Sequence, residues 1–331
     1  MNKTNEEVKE VIFKYLKKKL SLFGIKKIYQ FKNNFDLLIN EIYDSLNYMD
    51  IALALDQKKI NLDLSLNKNK FPQSLNDFYK IATNEDQTLS NISVSKKVNL
   101  KKILKSLNIK KNDNVLVHSS FMKLTNYQIN EKNFFKELQN TIGRKGTIFA
   151  PGFNFMEYFS NKFNKTKTLP HNECGILSKF IFKLKNSVRS SNPIDSLIGI
   201  GKHGNICEKN NFCAYDDKSP WANLSNIKTK VIFVDVDFFY CSYLHRIEYK
   251  IKVPYRKIKI YNRKYGKYAL YARKSKKLFL HYNKIFQEEE LKRNINHFNF
   301  NDINFYSISC LTLDKFVYKL IFKNKNYFIK K

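Results

Sequence analysis

Residues 114–118 read NVLVH, residues 146–150 GTIFA and residues 230–236 KVIFVDV. Each is a short run rich in residues that favour strands. Between them, residues 134–142 and 176–184 carry apolar side chains at helical spacing. Strands alternating with helices predict an α/β domain built on a central mixed sheet flanked by helices. Beyond Val253 the chain turns to basic and aromatic runs, IKIYNRKYGKYALY at 258–271, that read as antiparallel strands, with a helical pattern near 283–293.

Toward the N-terminus the pattern changes. Val8, Ile12, Phe13 and Leu16 form one helical stripe and residues 46–55 a second helical segment, so residues 1–84 read as a small all-α domain. The polar stretch NEDQTLSNISVSKK that follows holds few large apolar residues and reads as a linker over 85–97. Residues 98–331 then make up the α/β domain.

The chain has 331 residues, 43% of them hydrophobic, enough for a sizeable core and too many for a wholly disordered chain. Its 60 Lys and Arg against 29 Asp and Glu give a net charge of +31, which invites a polyanionic partner. The excess is spread with asparagine through every segment, and no arginine-rich helix, zinc-finger spacing or RNA-binding aromatic signature concentrates it, so nucleic acid is not an expected partner. No run of 18 apolar residues exists, and the most apolar stretch, 231–243, carries Asp235 and Asp237, so no membrane span is expected. The N-terminus MNKTNEEVKE has no signal-peptide core, which points to the cytoplasm. Cys174, Cys207, Cys213, Cys241 and Cys310 have no metal-like spacing and read as reduced.

Two constellations carry chemistry. Asp44-Ser45-Leu46 opens the helical run of residues 46–55. A serine there is by default an N-cap, and the same position exposes a hydroxyl at the positive end of the helix dipole. The segment FDLLINEIYDSLNYMDIALALDQKKINLDLS resembles the acyl carrier protein family over about eighty residues, with Lys58 and Lys59 where acidic residues are common there. That resemblance implies phosphopantetheine attached to Ser45, and with it a phosphopantetheinyl transferase and an acyl-loading enzyme as partners.

The second constellation is five patches in fixed order: VHSSFMKL (117–124), GTIFAPGFN (146–154), VRSSNPIDSLIGIG (188–201), YDDKSPWANL (215–224) and LHRIEYKIKVPYR (244–256). If the last is helical, His245 and Glu248 at i and i+3 share a face, and the carboxylate can fix the imidazole tautomer and raise its basicity. A neutral imidazole can then take a proton from an attacking amine. A lone helical histidine is more often structural; the neighbouring patches are what make this one a candidate base. Two ligands are too few for zinc.

Together the patches resemble the aminoglycoside 3-N-acetyltransferase family, taken broadly to include relatives that acylate amino sugars, over about residues 98–300. The resemblance implies an N-acyltransferase with His245 as general base and Glu248 as its partner. Its donor is a pantetheine thioester, on Ser45 or on coenzyme A as acetyl-coenzyme A or another acyl form. His118, Ser119, Ser120, Arg189, Ser190 and Ser196 are the implied donor-binding residues. Asp195, which with Asn192 stands where drug-modifying members often carry histidine, and Trp221 are the candidate contacts to an acceptor. That acceptor is expected to be a primary amine, on an amino sugar of polysaccharide or nucleotide-sugar biosynthesis, or in the alternative on an aminoglycoside antibiotic. Homo-oligomer formation is left open, and a non-enzymatic basic binding protein is the reading from a different class.

Overall fold

The computed structural model describes residues 99–121, 123–209, 211–275, 280–301 and 303–329. The carrier-like domain expected over residues 1–84, its Ser45 and the linker over 85–97 lie outside the described residues. The described residues of 99–121 and 129–329 form one compact unit, to which the turn Leu124–Tyr127 does not belong. That unit is described below.

The three β-rich runs are strands. β1 (Asn114–Ser119), β2 (Thr147–Pro151) and β5 (Lys230–Val234) are parallel neighbours, β1 lying between the other two. All five residues of β2 are buried, which is why an uninterrupted apolar run replaces the alternation of a half-wet strand. β3 (Val188–Arg189), β4 (Leu197–Gly201), β8 (Asn296–Phe300) and β9 (Ile303–Ser309) complete a mixed seven-stranded sheet in the order β3-β4-β2-β1-β5-β9-β8. The two flanks pair antiparallel, β4 on β2 and β9 on β5.

The register aligns Leu116 with Phe149 on one side and Val231 on the other. These three, with Phe233 and Leu197, pack into one cluster with Trp221 and Leu224 of α5 (Pro220–Asn226), Leu244 and Ile247 of α6 (Tyr243–Ile251) and Leu313, Val317 and Ile321 of α8 (Cys310–Lys323). Alternate residues such as Val115 and Val117, also buried, point to the opposite face. On that side α4 (Gly175–Phe182) packs against β1, β2 and β4, and α2 (Glu131–Ile142) packs on α4. Capping explains where these helices start: Asn130 accepts from Asn133 N–H at 2.9 Å and Ser309 from Thr312 N–H at 2.9 Å. α1 (Leu100–Ser106), α3 (Phe155–Phe159) and α7 (Glu289–Lys292) are shorter.

The basic aromatic run forms a separate hairpin, β6 (Arg256–Arg263) on β7 (Gly266–Arg273). It is anchored rather than free: Ala269 N–H donates to Phe212 O at 2.9 Å, and Asn192 Nδ2 donates to Phe212 O at 3.1 Å and to Ala269 O at 3.3 Å. The helical pattern near 283–293 resolves into a 3-10 turn, Tyr282–Gln287, followed by α7. Among the described residues no helix is long and apolar enough to cross a membrane.

Candidate active site

Parallel strands open a crevice at their carboxyl ends, where the chain can leave without obstructing the sheet. β1 ends there in His118 and Ser119, and Ser120 just beyond it donates its N–H to Val234 O of β5 at 2.8 Å. Gly175 at the start of α4 sits so close to this end that a Cβ would lie 2.7 Å from Ser119 O, and its φ of +80° also suits glycine. After β5 the chain makes a 3-10 turn, Phe238–Tyr240, capped by Asp237, which accepts from Phe239 N–H at 2.8 Å. It then enters α6, and this return carries His245 to a position where it is felt electrostatically at His118.

On α6, His245 Nδ1 lies 3.0 Å from Glu248 Oε2. The helical i, i+3 pairing anticipated from sequence is therefore formed. The carboxylate is fully buried yet saturated: Tyr255 OH and Tyr282 OH each donate to Oε1 at 2.9 Å, and Arg256 Nε lies 2.7 Å from Oε2. Burial pushes its pKa up, but the Arg256 guanidinium, His245 and the Tyr255 hydroxyl outweigh it and hold Glu248 below the usual carboxylate range. A carboxylate that stays ionised can accept an Nδ1 proton, the tautomer that leaves Nε2 basic, while Arg256 Nη2, a donor 3.0 Å from the same Nδ1, pulls toward the other tautomer.

Glu248 raises the basicity of His245 as expected, but other influences outweigh it. Burial and the Arg256 charge lower the His245 pKa below 6.5, and the opposing pull of Glu248 is smaller. At neutral pH the ring is neutral, as a base must be before it acts. Its side chain keeps 26% of its surface open, so a reactant can reach it.

Asp195 and Tyr215 complete the neighbourhood. The Tyr215 ring packs edge-on to His245 with centroids 5.8 Å apart, and its hydroxyl bonds the Asp195 carboxyl. Burial pushes the Asp195 pKa up to about 6, against the pull of Arg256 and Tyr215. Asn192 Oδ1 accepts from Ile194 N–H at 2.9 Å and from Asp195 N–H at 3.3 Å, which fixes the loop that presents the carboxyl.

Other residues singled out in the sequence have interior roles instead. Trp221 is 1% exposed, with its indole N–H on Asp195 O at 2.8 Å, so it offers no face to a sugar ring and acts by holding Asp195. Its helix begins where Ser219 caps Ala222 N–H at 3.2 Å ahead of Pro220, and this explains the Ser-Pro pair. Arg189 is buried between the Phe163 and Phe182 rings, 4.7 and 5.4 Å from their centroids, and donates to Thr168 O at 2.6 Å and Ser196 Oγ at 3.1 Å. Ser190 Oγ accepts from Leu197 N–H at 2.9 Å. Arg189, Ser190 and Ser196 thus tie β3 to β4, and in this conformation they do not present groups to a donor phosphate. Ser119 and Ser120 are half-buried at the carboxyl end of β1. His118 is sealed, stacked on Phe233 at 5.7 Å, and its Nε2 has no hydrogen-bond partner among the described residues.

Arg256, Tyr255, Tyr282 and Tyr215 are the site residues that sequence reasoning missed. The first two lie inside the quoted patch 244–256, but nothing local signals that they turn back onto Glu248. Among the described residues no group of three or more His, Cys, Asp or Glu is arranged to hold a metal ion.

The model of the aminoglycoside 3-N-acetyltransferase family matches residues 116–308, more than half of the chain and the whole of the site just described. The chain belongs to the aminoglycoside 3-N-acetyltransferase family. It is therefore an acyltransferase. Solved structures of similar fold include a variant of aminoglycoside acetyltransferase AAC(3)-IVa in complex with a gentamicin, at 16% identity and TM-score 0.61, covering 73% of this chain and 94% of that one. AAC-IIIb with CoASH matches at 17% identity and TM-score 0.57, covering 68% and 95%. YokD from Bacillus subtilis matches at 20% identity and TM-score 0.56, covering 68% and 98%. No curated protein sequence matches the chain.

Proposed function

We propose that this acyltransferase moves an acyl group from the pantetheine thioester of coenzyme A to a primary amine of an aminoglycoside or related amino sugar, with His245 as general base. The observation that carries the reading is the partly open, neutral imidazole whose Nδ1 lies 3.0 Å from an ionised Glu248. An amine adds to a thioester carbonyl while losing a proton. Nε2 takes that proton as the C–N bond forms, and the C–S bond then breaks to release the thiol. The relatives solved with CoASH and with a gentamicin support this choice of donor and acceptor. Asp195, on the far side of Tyr215 from the base and ionised above about pH 6, suits an ammonium group elsewhere on a polycationic acceptor.

Acetylation of gentamicin by acetyl-coenzyme A tests the reading. Turnover by the wild type, with kcat/KM reduced about 10²–10⁴-fold in His245→Ala, is expected; equal rates in the two proteins would remove His245 from the mechanism. Asp44-Ser45-Leu46 supports a second donor arrangement, in which the thioester is carried on a phosphopantetheine of Ser45 and tethering supplies an effective concentration of about millimolar. Intact mass after co-expression with a phosphopantetheinyl transferase separates the two. A mass gain that Ser45→Ala abolishes selects the tethered donor, and no gain selects free coenzyme A.

A further inference from the structure

In a histidine–carboxylate pair the anion behind the ring stabilises the imidazolium and makes the histidine a stronger base. Here a cation already opposes that anion. Arg256 Nε lies 2.7 Å from Glu248 Oε2, and Arg256 Nη2 lies 3.0 Å from the same His245 Nδ1 that Glu248 approaches at 3.0 Å. The guanidinium cannot swing away. Its Nη1 donates to Tyr271 O at 2.9 Å, its Nη2 to Tyr282 OH at 2.7 Å, and it lies 5.4 Å from the centroid of the Tyr271 ring. Arg256 opens β6, and Tyr271 belongs to the strand paired with it, so the hairpin as a whole serves as the mount for this cation.

We infer that Arg256 is a positioning residue that offsets the charge of Glu248 toward His245, so that the carboxylate orients the ring while the stabilisation it lends the imidazolium is opposed. The inference rests on the acyltransferase reading of the site and assigns it a second half-reaction. When the amine nitrogen attacks, its proton goes to Nε2, the carbonyl π electrons move to oxygen, and the ring becomes an imidazolium flanked by Arg256. Collapse of the tetrahedral adduct restores the C=O, breaks the C–S bond and leaves a thiolate. That thiolate takes the Nε2 proton, and His245 returns neutral. An imidazolium destabilised by a neighbouring guanidinium gives up its proton more readily to sulfur. The device favours the second half of the reaction at some cost to the first.

Several groups face His245 and enter its titration. Glu248 on α6 raises its pKa, while Arg256 from β6 and Arg273 from β7 lower it. Tyr282 OH stands 3.5 Å from Nδ1, the Tyr215 ring packs against the imidazole, and His118 of β1, held neutral by burial, adds no charge.

The test is the titration of His245 in the full chain without substrate, read from its imidazole ¹⁵N shifts in wild type, Arg256→Gln and Arg256→Lys. The wild type is expected to titrate below 6.5, with the neutral-state proton on Nδ1 as the role of Nε2 as base requires. Loss of the cation in Arg256→Gln should raise the midpoint by about 1 unit, and Arg256→Lys should restore it toward the wild-type value. The acid limb of the kcat/KM profile with acetyl-coenzyme A and gentamicin should move up with the midpoint in Arg256→Gln; a purely structural role would lower the rate without moving the limb. An unmoved or lowered midpoint in folded Arg256→Gln overturns the inference. So does a wild-type ring that carries its proton on Nε2 or titrates at or above 6.5, a result that needs no variant to fold. The expected titration shifts combined with no acyl transfer by the wild type would uphold the charge offset and refute the acyltransfer reading alone.

Discussion

His118 and His245 stand at the same edge of the sheet, and both resist protonation, but their surroundings differ in kind. At the end of β1 the imidazole is 5% exposed, stacked on Phe233 with an unpartnered Nε2, and burial lowers its pKa to about 3. On α6 the imidazole keeps a quarter of its side chain open, with a carboxylate and a guanidinium at Nδ1. One ring is inert because nothing compensates its charge. The other is poised because two opposite charges oppose each other behind it. Proximity to a catalytic edge does not make a histidine a base; an accessible ring held by fixed partners is also needed.

The largest effect should come from breaking the charge pair that distinguishes His245. Glu248→Gln leaves the Arg256 guanidinium buried without its anion, and chemical denaturation should show a loss of about 3–5 kcal/mol. A loss below about 1 kcal/mol would mean that the tyrosine hydroxyls and Tyr271 O suffice to hold Arg256. Trp221→Ala probes the support beneath Asp195 and should cost about 3–5 kcal/mol as a core cavity. At saturating donor it should raise the KM for the amine as Asp195 loses its indole tether. An unchanged KM in the folded variant would detach Asp195 from acceptor binding.

The smallest effect belongs to His118 and sharpens the contrast. Its folded pKa of about 3 lies below the 6.5 of the unfolded chain, so between these values the unfolded state binds the extra proton. Its contribution is complete above pH 6.5 and is lost at up to about 1.4 kcal/mol per pH unit as pH falls toward 3. His118→Phe removes that dependence, so wild type minus variant stability should fall by about 1 kcal/mol between pH 6.5 and pH 5.5. A flat difference would show that His118 is solvated.

Much of the scaffold was legible because its signals are local. β1, β2 and β5 announce themselves as unbroken apolar runs, and His245 with Glu248 as a pair one helical turn apart. β4, LIGIG, read as part of a motif rather than a strand, since two glycines weaken the strand signal. The hairpin was legible as strands but not as the mount for Arg256, because its purpose lies in contacts made across the fold. Tyr282 reaches Glu248 from 34 residues away, and Asn192, which occupies a site motif, spends its side chain on the backbone of Phe212 and Ala269. Trp221 and Arg189 carry the residue types of a binding site, and burial rather than sequence decides that they build its walls.

Chemical rescue tests the role of His245 most directly. His245→Gly, assayed for acetyl transfer from acetyl-coenzyme A to gentamicin, should lose about 10²–10⁴-fold in kcat/KM and regain part of it with added imidazole, in proportion to the neutral form. A glycine variant as active as the wild type, or one whose deficit imidazole leaves untouched at every pH, would contradict an account in which this ring carries the proton.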